Sequence, residues 1–303
     1  MNLRNLPNLD QSLLSALDFF KDKDLPKLNI TLSGLPIIVG SGNAINTGKI
    51  LFSNKPAIFA NESDFLSKLK IYQSLIKNKV IDEAIIISAS GEKDATWEIK
   101  EAKKNKLKTT LLTCSPNSSA AELADWVIVY KKIAEPQTYN ISTYLGMILS
   151  KTQEKPYDIE KFIKKLALKK NFNNYKAYAF ILPDEFASIT PMLNIKRHEL
   201  FGPNLSLRAF SFGEARHAKF VMPSEKELVI SLGKNKFFGL PRHRYEINMP
   251  KKYNAGLVMA LTYYLIGKIQ ESKPPYYKRN IAKYCKEGPL AYGKKKPFDI
   301  IVD

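Results

Sequence analysis

Residues 84–126 constrain this chain more than any other stretch, reading AIIISASGEKDATWEIKEAKKNKLKTTLLTCSPNSSAAELADW. An apolar run of strand length ends in Ser88-Ala89-Ser90-Gly91. A helical pattern follows, with Trp97, Ile99 and Ala102 on one face, and a second apolar run at 109–113 leads into a polar loop and a further helix start. Strand, loop, helix and strand in that order make one unit of a parallel sheet. Small hydroxyl residues and a glycine at the carboxyl end of a strand, opening a helix, let backbone N–H groups and serine hydroxyls converge on an anion. The pattern therefore predicts a phosphorylated ligand.

At 303 residues the chain has room for one large domain or two of about 150, each with an ample core. Lys and Arg number 47 against 29 Asp and Glu, for a net charge of +18. The lysines are spread from Lys21 to Lys296 with no aromatic-interleaved basic motif, so they predict a solvated surface that attracts anionic metabolites rather than nucleic acid. No segment has the roughly 18 to 20 apolar residues of a membrane span. The longest candidate, 255–266, contains Thr262, Tyr263 and Tyr264 and fits a buried helix. The first 20 residues lack a basic start followed by an apolar core, and a cytoplasmic protein is expected. Two cysteines, Cys114 and Cys285, and three histidines, His198, His217 and His243, match no zinc spacing, so neither metal nor cofactor is expected.

The apolar runs at 35–40, 56–60, 84–87, 109–113 and 126–130 alternate with helical patterns, as in a doubly wound sheet with its site at the strands' carboxyl ends. After a charged segment with an amphipathic helix at 158–169, the pattern restarts. Strands are expected at 177–182, 206–212, 227–232 and 244–248, and helices at 187–201 and 253–269. The expected fold class is α/β, two tandem flavodoxin-like parallel-sheet sandwiches. The expected boundaries are a helical extension at 1–30, a first domain at 31–153, a second with its linker helix at 154–270, and an extended tail or lid at 271–303.

Gly40-Ser41-Gly42 lacks the third glycine of a dinucleotide fingerprint, since Ile45 stands there, and the segment 42–49 misses the P-loop spacing. A small-molecule phosphate loop suits it better. The Ser88 loop, with Ala121-Glu122-Leu123-Ala124-Asp125 after the next strand, resembles the SIS (sugar isomerase) domain. Residues 209–217, Ala-Phe-Ser-Phe-Gly-Glu-Ala-Arg-His, resemble a stretch in the isomerase half of glucosamine-fructose-6-phosphate synthase. Arg279-Asn280-Ile281-Ala282-Lys283 is similar to the Arg-Asn-Leu-Ala-Lys of that family's C-terminal lid.

The resemblance implies roles. His217 would assist sugar-ring opening, reaching into the neighbouring subunit's site. Glu199, in Lys196-Arg197-His198-Glu199, would move the proton between C1 and C2, with Glu135 as runner-up. Such a shift needs one base that collects and returns the same proton, with a pKa raised by a partly dry pocket. Lys283 would engage the open ketose through a desolvated amine. Ser41, Gly42, Asn43, Ser88 and Ser90 would hold the phosphate, and Thr138 and Asn140 would approach the sugar hydroxyls. The family's hydroxyls fall on Ala44 and Lys93 here, and Lys93 is expected to bind the phosphate by a charge-assisted contact.

The synthase's glutaminase half has no counterpart in the sequence. The resemblance implies a hexose or aminohexose 6-phosphate isomerase, or a deaminase that uses or releases free ammonia. A homodimer with shared sites goes with either. Phosphoglucose/phosphomannose isomerase and a non-catalytic sugar-phosphate sensor are the alternatives.

Overall fold

A computed structural model describes residues 3–217, 223–293 and 295–303. Its chain divides into two compact units that interleave in sequence. One comprises Lys23–Ile133 and Ser142–Gln153; the other comprises Met1–Asp22, Ala134–Ile141 and Glu154–Asp303.

The first unit carries β1 (Ile37–Val39), β2 (Ile58–Ala60), β3 (Glu83–Ile87), β4 (Lys108–Thr113) and β5 (Trp126–Val129). All pair in parallel, in the order β2-β1-β3-β4-β5. Every residue of β1 and β3 is buried, as continuous apolar runs predict for strands covered on both faces. Helix Asp94–Lys104 turns Ala95, Ile99 and Ala102 toward Ile86 and Leu111, where Phe65 and Leu69 of helix Phe65–Ile71 join them. The spacing of four and three residues puts those side chains on one face. This strand order places a switch point between β1 and β3, so the loops that follow them flank a crevice at the sheet's carboxyl edge.

The second unit has β6 (Glu135–Pro136), the parallel strands β7 (Ala177–Leu182), β8 (Ser206–Ser211), β9 (Glu227–Leu232) and β10 (Arg244–Ile247), and β11 (Ile301–Val302). The order is β10-β9-β7-β8, and β11 pairs antiparallel with β6. Helix Ala255–Ser272 is buried along most of its length, and among the described residues no helix is long and apolar enough to cross a membrane. The Glu154 carboxylate accepts from the N–H groups of Asn254, Gly256 and Leu257 at 2.7 to 3.2 Å, placing negative charge at that helix's positive end. Helix Leu9–Lys21 packs on it, so close at Gly267 that a Cβ there would lie 2.1 Å from the Asp10 nitrogen.

Two local expectations are corrected. Residues 271–303 are not an extended tail: Tyr276–Glu287 is a helix, because Tyr277, Ile281 and Cys285 recur every four residues and bury one face. The helix start after β4 is a series of turns, since Asp125 ties the chain back to β4 by accepting from Thr109 N and Oγ1 at 2.8 and 2.9 Å.

Candidate active site

In the first unit the loops after β1 and β3 are joined by a hydrogen bond from Ser41 Oγ to Asp94 Oδ2, 3.3 Å. Gly42 precedes one helix at φ 57°, ψ −119°, and Lys93 precedes the other at φ 59°, ψ −120°. Glycine adopts that conformation freely, while lysine is strained in it by roughly 1–3 kcal/mol, and such strain collects at functional sites. Gly91, at φ 61°, has no alternative: a Cβ would lie 1.9 Å from Ser118 Oγ. Ser88 Oγ accepts from Gly91 N at 3.2 Å and Ser90 Oγ from Glu92 N at 3.3 Å, so both hydroxyls help shape the loop. Asn43 is buried at the start of its helix with Oδ1 unpartnered. Two acids also enter this region. Glu92 accepts from Ser119 N and Oγ at 3.0 to 3.1 Å, and Asp94 takes the Ser41 hydroxyl.

In the second unit the segment after β6 and helix Thr190–Phe201 meet through Lys196. That side chain is 0% exposed, and its Nζ donates to Thr138 O and to Glu199 Oε2, each at 2.6 Å. Glu199 keeps 23% exposure, enough for a ligand to reach it. Burial pushes its carboxyl above the ordinary carboxylate range, and the Lys196 ammonium opposes that shift. Thr138 and Asn140 have φ of 75° and 47°. Left-handed backbone in a β-branched residue is a genuine outlier. The Thr138 hydroxyl lies beside Glu199 without a well-formed hydrogen bond. Glu135 is buried in β6.

The remaining two candidates are exposed on this unit's surface. His217 ends helix Phe212–His217 and is exposed. That turn is held by Asp184, whose Oδ1 accepts from Gly213 N at 2.6 Å. Lys283 is 73% exposed, 4.0 Å from Glu287. The expected desolvated amine is not found here, because Lys283 lies opposite the Tyr277–Ile281–Cys285 face of its helix.

Solved structures share this architecture. Glucosamine-6-phosphate deaminase of Thermotoga maritima matches with a TM-score of 0.58 at 15% identity, over 88% of this chain and 96% of that one. The chain has the fold of phosphosugar isomerases. Tagatose-6-phosphate ketose/aldose isomerase of Escherichia coli gives 0.58 at 13% identity, over 90% and 91%. The C-terminal domain of glucosamine-fructose-6-phosphate aminotransferase of Francisella tularensis gives 0.57 at 14% identity, over 88% and 93%. No protein-family model and no curated protein sequence matches the chain. At such identities the likeness is one of fold.

Sequence reasoning passed over Lys196, Asp94 and Tyr277. Lys196 carried a signal, since it stands three residues before Glu199 and so on the same helix face. Tyr277 is positioned from 140 residues away, donating its hydroxyl to Gln137 O. No local pattern predicts that contact.

Proposed function

We propose that this protein is a phosphosugar isomerase acting on a hexose or aminohexose 6-phosphate, through an enediol or enediolamine. The observation that carries the reading is the buried Lys196 ammonium bridging Thr138 O and Glu199. A half-buried carboxylate with a raised pKa and a fixed cation suits a base that must take a proton and give it back. Glu199 removes the proton from the carbon beside the carbonyl; the electron pair forms the enediol double bond as the carbonyl oxygen is protonated. The same proton then returns to the former carbonyl carbon as the adjacent hydroxyl gives up its proton and becomes the new carbonyl, so the oxygen proton taken up in the first half is released in the second. In this proposal Ser41, Gly42, Asn43, Ser88, Ser90 and Lys93 hold the phosphate. Thr138 and Asn140 face the sugar hydroxyls, and Glu135 supports them from β6. His217 assists ring opening from a second copy in a homodimer, and Lys283 engages the open ketose once covered.

A second reading rests on Asp94 and Glu92, which occupy hydroxyl and N–H donors a phosphate would use. It makes the protein a non-catalytic sugar-phosphate sensor. Turnover separates the two. The protein is incubated with fructose 6-phosphate, with and without ammonium, and with glucosamine 6-phosphate, while glucose 6-phosphate and aminosugar are followed. Isomerised product that disappears in Glu199→Gln supports the enzyme; ammonia release from glucosamine 6-phosphate would specify the deaminase. Saturable binding without product establishes the sensor, and turnover that survives Glu199→Gln removes the base assignment.

A further inference from the structure

We infer that residues 298–302 are a positioning strap for Glu199, whose docking on residues 135–137 switches the site between an assembled and a slack state. The inference rests on the isomerase reading only for what the site does. How the strap holds the site follows from contacts within the second unit.

The strap is anchored at one end and paired at the other. Phe298 N donates to Cys285 O at 2.9 Å, and the Phe298 ring lies 6.2 Å from the ring centroids of both Tyr284 and Tyr292. Further on, Ile301 stands opposite Pro136 and Val302 opposite Glu135 in the β6–β11 ladder. Gln137 N donates to Ile300 O at 2.7 Å, while Gln137 O accepts from the Tyr277 hydroxyl. Both backbone polar groups of Gln137 are thereby committed, one to the strap and one to helix Tyr276–Glu287.

The next residue is Thr138, held at φ 75°. A β-branched residue stays in that conformation only where its surroundings over-determine it. Its carbonyl accepts from Lys196, whose other partner is Glu199. A continuous chain of contacts thus runs from Ile300 O through Gln137 N, Thr138 O and Lys196 Nζ to Glu199 Oε2. A ladder of two residue pairs is short, which puts the strap at the low-stability end of local opening. On release, Gln137 N loses its acceptor, Thr138 relaxes toward extended backbone and its carbonyl turns from Lys196. Water then reaches Lys196, and Glu199 is no longer held. A sugar phosphate that binds the assembled state better shifts the population toward the docked strap.

The test compares the full chain with a deletion of residues 298–303 and with the milder Phe298→Ala. Amide hydrogen exchange at residues 137–140, carboxyl titration of Glu199 by carbon NMR, affinity for inorganic phosphate and turnover are followed. Exchange at 137–140 is expected to rise about tenfold or more while β7 and β9 stay protected. Glu199 should titrate lower, toward an ordinary carboxylate, as its burial is relieved. Turnover is expected to fall about 100-fold with phosphate affinity unchanged, a loss typical of a misplaced catalytic group. Unchanged exchange at 137–140 and unchanged Glu199 titration in either folded variant overturn the strap. If the deletion fails to fold, Phe298→Ala decides by the same readings. An intact protein that turns over no sugar phosphate defeats the isomerase reading instead, and the exchange and titration data still decide the strap.

Discussion

Glu98 shows what one buried side chain does to stability. It is 1% exposed, its Oε1 has no hydrogen-bond partner, and burial, with the charges of Asp94 and Glu62 adding, pushes its carboxyl up to about 8. An acid whose folded pKa exceeds its unfolded value binds its proton more tightly in the folded state. Its contribution is therefore full below the unfolded pKa and is lost as pH rises toward 8. Glu98→Gln should leave stability near pH 4 almost unchanged and raise it at pH 8.5 by on the order of 2 kcal/mol, read from thermal melts at both values. Lys93 makes a second case. Lys93→Gly relieves the strain at φ 59° and should melt higher than Lys93→Ala, by about 1 kcal/mol, while both lose affinity for a sugar phosphate at moderate salt. Lys93 was legible as the odd residue in a hydroxyl position; its backbone strain was not, because φ depends on how the loop closes.

Among the elements, helix Tyr276–Glu287 departs most from the sequence reading. Proline, lysine and tyrosine around it suggested an extended tail, yet three inward residues spaced by four were enough to bury one face. Ile281→Asp should cost about 3 kcal/mol by placing an unpaired charge at a buried position, whereas Lys283→Ala should change stability by less than about 0.5 kcal/mol. Helix Thr190–Phe201 offers the complementary test. Lys196→Met strips a half-buried carboxylate of its cation and should destabilise by about 2 kcal/mol, while adding Glu199→Gln should recover part of that loss. Chemical denaturation of the single and double variants checks both statements. Strand β7 was readable to the residue because a parallel strand buried on both faces is one unbroken apolar run, and β9 was readable from Leu228-Val229-Ile230 although Glu227 and Ser231 flank that run. The segment 121–125 forms turns where a helix was expected, since its alanines favour helix locally while the Asp125 carboxylate ties the chain back to Thr109 of β4.

At the scale of the whole molecule, a net charge of +18 bears on any anionic ligand. Screening by salt should raise the apparent Kd for a sugar phosphate several-fold between about 20 and 200 mM ionic strength, measurable by calorimetry. Two parallel sheets and the loops at their carboxyl edges were determined by the sequence itself, because the apolar runs and helical faces that encode them are local and periodic. Only the tertiary structure decided that residues 1–22 belong with the second unit, that Tyr277 and Ile300 grip Gln137, and that Lys196 is the partner of Glu199. Those contacts join residues far apart in the chain, or depend on which helix face is dry. Burial then sets the charge and the strain that a sequence does not display.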